Sequence, residues 1–240
     1  MAAQAEGRID EERRASRPRV VLINPNTNRS TTSRMVQIAQ EAAGELSDGP
    51  GGLAIEGATV SSGVPLITNE PALNAAADAV LELGMSLMPD AAGVIVSAFG
   101  DPGLDALRRR LSIPVAGIAE SSFREAAEGA RRFAVVTTTP DLKAAITARV
   151  IGEGFGAQFA GVWLTPGDPA RLMAQEEALL EALLRGIEDA VRQDAVEAVI
   201  IGGGPLAAAA RVLAPKSPVP LIEPIPAAVR RMAQMIRARS

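Results

Sequence analysis

The chain has 240 residues, 48% of them apolar and 22% charged, enough for one large or two small domains around an ordinary buried core. A net charge of −4 and an aromatic content of 2% give no electrostatic footprint and no stacking surface for nucleic acid, and no apolar run approaches the roughly 18–20 residues of a membrane-spanning helix. Cysteine, histidine and tyrosine are absent, which excludes disulfides, thiolate nucleophiles, imidazole bases and the common zinc-ligand sets.

Residues 1–17 are charged and small, lack the apolar centre of a secretion signal, and read as a flexible tail, with the cytoplasm as the expected location. Residues 19–24 (RVVLIN) form a continuous β-branched run, the pattern of a strand buried on both faces. The spacing then predicts a helix over 30–46, a strand over 54–60, a helix over 72–88, a strand over 93–97, a helix over 104–111 and a strand over 115–118. The second half gives a strand at 133–136, a helix at 141–152, a strand at 159–163 and a long helix at 169–193. A strand at 199–201, a helix from Pro205 to about Leu213, a short strand at 221–222 and a helix at 226–237 complete the chain. Strands alternating with helices throughout predict an α/β fold built from mainly parallel, doubly wound sheets. The Ala-rich surface of the 72–88 helix fits a homo-oligomer.

One pattern occurs twice. Residues 92–120 and 197–224 each run from an apolar strand through a small-residue turn with a proline into an Ala/Leu/Arg helix, then to an apolar run opened by Pro114 or Pro220. This duplication predicts two pseudo-symmetric half-domains with a site between them. The first comprises residues 18–120 with a C-terminal helix within 225–240, the second residues 121–224. Ligands of such sheets bind outside the carboxyl ends of the strands. Four strand ends carry polar or glycine-rich turns, at 24–28, 97–101, 137–139 and 202–205.

These turns supply the candidate contacts. Asn26 and Thr27 are the expected substrate contacts of the first turn, and Phe99 and Gly100 are expected to offer backbone N–H groups to an anionic oxygen. Thr138 and Thr139 complete a ring of hydroxyl donors, and Gly204 and Pro205 bring the triglycine turn to the same pocket. That turn lacks the lysine of a P-loop and the spacing of a dinucleotide fingerprint. Asp101-Pro102-Gly103 is turn chemistry in which Asp101 can cap the following helix. Glu120 and Glu223 end equivalent strand segments and form the only symmetric acid–base pair the chain offers, against the alternative that each caps a helix or pairs with an arginine.

INPNTN (23–28), SAFGDPGL (97–104), PVAGIAE (114–120), FAVVTTT (133–139) and VIIGGGPLA (199–207) occur in an order that resembles the aspartate/glutamate/hydantoin racemase superfamily, in particular its hydantoin and allantoin racemase branch. The resemblance spans about residues 19–235. It implies a cofactor-independent enzyme with its site between two α/β halves, where one cysteine from each half removes or returns the α-proton on opposite faces of a planar carbanion. The matching positions are Ala98, immediately before Phe-Gly-Asp-Pro-Gly, and Gly203 in the glycine turn. Neither carries a proton. Ser97 lies one position early and is expected to point away from the pocket.

The sequence therefore leaves two main readings. One is an enzyme acting on a small cyclic amide or carboxylic acid by a non-thiol hydrolytic, lyase or isomerase step, with Glu120 and Glu223 as acid and base. The other is a catalytically inactive binding or sensing protein that keeps the pocket. A racemase likeness retained purely by descent is a third. Carboxylates that converge on the pocket favour the first reading, and carboxylates held in salt bridges favour the second.

Overall fold

The computed structural model of the protein describes residues 17–46, 52–87, 90–203, 206 and 208–239. The expected tail, apart from Arg17, lies outside them. Among the described residues, short apolar segments form eight strands in two sheets. The first sheet holds β1 (Arg19–Asn24), β2 (Ala54–Thr59), β3 (Gly93–Val96) and β4 (Val115–Gly117) in the order β2-β1-β3-β4. The second holds β5 (Phe133–Thr137), β6 (Phe159–Leu164), β7 (Ala198–Ile201) and β8 (Leu221–Ile222) in the order β6-β5-β7-β8. All pairings are parallel. Adding four to each label turns one sheet order into the other, so the chain is α/β with two half-domains of the same topology.

Alternation along the strands explains how each sheet is covered. Val20 and Leu22 of β1 face one side and pack with Met35 and Ile38 of α1 (Arg29–Glu45) and Val229 and Met232 of α9 (Pro224–Arg237). Val21 and Ile23 face the other, against Val80 of α2 (Glu70–Ser86) and Leu104 and Leu107 of α3 (Leu104–Arg110). In the second sheet Phe133 and Val135 pack with Phe123 of α4 (Ile118–Ala126) and Ile146 and Val150 of α5 (Lys143–Gly152). Ala134 and Val136 face α6 (Pro169–Ala174), α7 (Glu176–Asp194) and α8 (Ala209–Leu213) through Leu172, Leu183, Ile187 and Leu213. Burying a large aliphatic side chain contributes roughly 1.5–3 kcal/mol, so these four layers carry most of the fold.

The halves are joined by packing as well as by chain. Phe99 and Leu73 of the first half belong to the cluster built on Phe133 and Ile146. Phe99 meets Phe123 edge-on at 5.8 Å, and Phe123 stacks on Phe133 at 6.4 Å. The C-terminal helix α9 returns to the first half, packing on α1, β3 and β4, and also packs on α4.

Two elements differ from the sequence reading. Residues 118–126, read as the end of a strand and a connection, form helix α4, with the Ser121 and Ser122 hydroxyls donating to carbonyls one turn back. The expected helix at 169–193 is two, because Gln175 is extended at φ −134, ψ 99. No helix among the described residues is long and apolar enough to cross a membrane.

Candidate functional site

Parallel strands direct their carboxyl ends to one edge of each sheet, and the two sheets place those edges around a cavity of about 250 Å³. Its wall includes Asn26 after β1, Ser97, Ala98 and Phe99 after β3, Thr137 to Thr139 at the end of β5, and Gly202 and Gly203 after β7. The four motif turns thus meet at one place.

The first turn is fixed by an amide network. The buried Asn24 side chain donates to Asn26 Oδ1 at 3.0 Å and to Thr32 Oγ1 at 2.9 Å, and Thr32 in turn meets Thr59 at 2.7 Å. Asn26 Oδ1 also accepts the Asn28 N–H at 2.9 Å. Two donors on its oxygen fix the Asn26 amide so that its NH₂ is left for the cavity. Asn28 caps α1 by accepting the Thr31 N–H. Across the cavity, the Thr137 and Thr139 hydroxyls bond each other at 3.0 Å, while the Thr138 hydroxyl has no partner among the described residues. The Ala98 and Phe99 N–H groups likewise donate to nothing among the described residues. Met35, Leu66, Ile67, Leu142, Ile146 and Leu206 supply an apolar wall.

Of the expected contacts, Asn26, Ala98, Phe99, Thr138, Thr139 and Gly203 line this cavity. Thr27 does not: its N–H donates to the Val64 carbonyl at 3.1 Å and anchors the loop after β2. Gly100 does not either; it adopts φ +131 and packs against Leu73. Gly204 and Pro205 lie outside the described residues. Ser97 is corrected in the other direction. β3 ends at Val96, so strand alternation stops, and Ser97 faces the cavity with its hydroxyl donating to Met35 Sδ at 3.1 Å. The sequence reading missed Thr137, although it belongs to the same threonine run, and Leu66 to Thr68, which the long loop after β2 brings in.

No described residue of the wall carries an ionisable side chain. Glu120 and Glu223 are not brought to it. Glu120 pairs with Arg108 and accepts the Gly117 N–H at 3.2 Å. Glu223 accepts from Arg211 Nε at 2.9 Å, and burial pushes its carboxyl above the usual range while Arg211 pulls it down. In both cases the arginine lies twelve residues before the glutamate, on the helix that follows the middle strand of its half. In each half, the carboxylate expected as acid or base is engaged by an arginine and lies outside the described cavity wall.

Gly203 adopts φ +151, and a Cβ there would lie 3.2 Å from Leu206 Cδ1. Asp101 is fully buried at φ +52, and its two oxygens accept the Ala119 and Glu120 N–H groups at 2.9 and 2.8 Å. It caps α4, rather than the helix that follows it in sequence.

Comparison with known proteins places this geometry in context. The model of the Asp/Glu/Hydantoin racemase family matches residues 20–232. A hydantoin racemase of Paenarthrobacter aurescens is 28% identical over 216 residues, covering 88% of each chain. An allantoin racemase of Pseudomonas fluorescens superimposes with a TM-score of 0.82 at 26% identity, covering 92% of both chains. That of Klebsiella pneumoniae gives a TM-score of 0.79 at 28% identity, covering 92% of this chain and 89% of the other.

Proposed function

The chain belongs to the Asp/Glu/hydantoin racemase family, and we propose that it keeps the family cavity as a cofactor-free binding site for a small cyclic amide or carboxylic acid, without two-thiol proton transfer. The observation that carries this reading is a cavity wall with no ionisable group among the described residues, combined with Ala98 and Gly203 both lying in that wall. A racemase must remove a proton from carbon, and a positioned acid–base group typically contributes 10²–10⁴ in rate. Hydroxyls and amides without a neighbouring base do not supply it.

The donors favour a ligand with carbonyl or carboxylate oxygens. The Asn26 amide, the Thr138 hydroxyl and the Ala98 and Phe99 N–H groups can each donate to one, and the aliphatic wall accepts an apolar substituent. Since no cation among the described residues lines the wall, a cyclic amide with one apolar arm suits it better than an amino dicarboxylate. The hydantoin and allantoin racemases to which the chain is similar point to the same ligand class.

Titration calorimetry across a panel of 5-substituted hydantoins, with NMR of the α-proton in deuterated water, tests the reading. Saturable binding with no exchange is expected. Rapid exchange by the wild-type protein would overturn it in favour of a non-thiol enzyme.

A further inference from the structure

The turn that offers the Ala98 and Phe99 N–H groups to the cavity ends, three residues later, in a buried ion pair that crosses between the halves. Asp101 lies 3.9 Å from Nε of Arg149, which projects from α5 of the second half. Arg149 also reaches Asp105 of α3 at 3.1 Å and Glu153 at 2.8 Å. Its Nη1 donates to Asp105 Oδ2, while Nε and Nη2 are buried without a hydrogen-bond partner among the described residues, so Asp101 and Glu153 act on it through charge. The fit around Asp101 is close: a Cβ on Gly117 would strike the carboxylate, and Asp101 itself occupies the left-handed region that L-residues seldom adopt. A strained turn with ligand donors at one end and an inter-half contact at the other is suited to transmit a change at the contact.

We infer that Asp101 and Arg149 are positioning residues for the cavity: their contact fixes the 98–101 turn against the second half, and ligand affinity depends on it. This inference rests on the binding reading above. Burial raises the Asp101 carboxyl to about 7, against the opposing pull of the Ala119 and Glu120 N–H groups. The charged groups around it are Asp105 from α3, Glu120 from α4, itself paired with Arg108, and Arg149 and Glu153 from α5. The ionised carboxylate both accepts the two N–H groups and attracts Arg149. Once protonated it loses its charge, and Arg149 is left with Asp105 and Glu153.

The affinity of the wild-type protein for 5-isobutylhydantoin should therefore fall about tenfold from about pH 8 to about pH 6, as the ionised fraction falls. A ligand-free measurement keeps the two readings apart. The Phe99 ring lies against Gly202, so movement of the turn shifts the Gly202 amide signal by ring current, far along the chain from Asp101. That signal should titrate with the Asp101 carboxyl carbon. R149Q should move their common midpoint upward by removing the counter-charge, whereas R149K should restore it. A Gly202 signal that is flat through the titration, or a midpoint unmoved in R149Q, overturns the positioning role whether or not the hydantoin binds. A moving signal without hydantoin binding leaves the positioning role standing and sinks the binding reading instead.

Discussion

Ala98 and Gly203 differ in what a cysteine would meet. Ala98 has no positive φ, so a side chain there faces no backbone strain. Gly203 sits at φ +151 with Leu206 at 3.2 Å, a conformation that costs an L-residue about 1–3 kcal/mol. Urea denaturation should accordingly find A98C near wild type and G203C destabilised by about that amount. An undisturbed G203C would mean that the backbone relaxes freely there. The glutamates give a second prediction at this scale. As arginine partners outside the described cavity wall, Glu120→Gln and Glu223→Gln should each leave hydantoin affinity unchanged at about pH 8, where Asp101 is already ionised. A selective loss of affinity in either variant would return it to the site.

The same partners look different once they are seen as parts of elements. The turn after β1 depends on Asn24, which is fully buried and holds both the Asn26 amide and the Thr32 hydroxyl. Replacing it with alanine strands buried acceptors and should cost about 1–3 kcal/mol. The readout specific to its role is affinity: Asn24→Ala should weaken binding beyond the effect of Asn28→Ala, whose loss of the α1 cap costs only about 1 kcal/mol. Equal affinities in the two variants would show that the Asn26 orientation is immaterial. Helix α4 shows a different dependence. Two of its N-terminal N–H groups are taken by Asp101, 18 and 19 residues upstream, and the local signal in IAESSFREA is limited to Glu120, whose side chain accepts the Gly117 N–H. The break at Gln175 has no glycine or proline to mark it, which is why the long helical pattern was legible and its interruption was not.

At the scale of the molecule, Asp101 links stability to pH. Burial pushes its folded-state carboxyl up to about 7 from an ordinary value of 3.8. The folded protein therefore holds a proton that the unfolded chain releases, and this contribution is fully present below the unfolded value and lost as pH rises through about 7. The raised Glu223 carboxyl acts in the same direction. Comparing unfolding free energies of wild type and Asp101→Asn from about pH 8 to about pH 5.5 should show the balance shifting toward wild type as pH falls. A difference that is constant across this window would contradict the raised carboxyl. The ionised state favoured for binding is thus the less stable one, the usual trade between a strained site and a relaxed fold.

The sequence by itself determined the two-half α/β architecture, because period-2 burial and repeated strand–turn–helix signals are local patterns that survive without tertiary information. It also determined that no thiol lies in the cavity, since the chain contains no cysteine. It brought Asn26, Phe99, Thr138 and Thr139 to one cavity for the same reason: parallel sheets gather their carboxyl ends. Side-chain direction was beyond it. Whether Glu120 faces the cavity or Arg108, whether Ser97 continues the strand alternation, and which helix Asp101 caps all depend on partners that chain distance hides. Those choices belong to the tertiary structure, because a carboxylate goes wherever an N–H group or a guanidinium offsets its desolvation, and the fold alone brings those groups within reach.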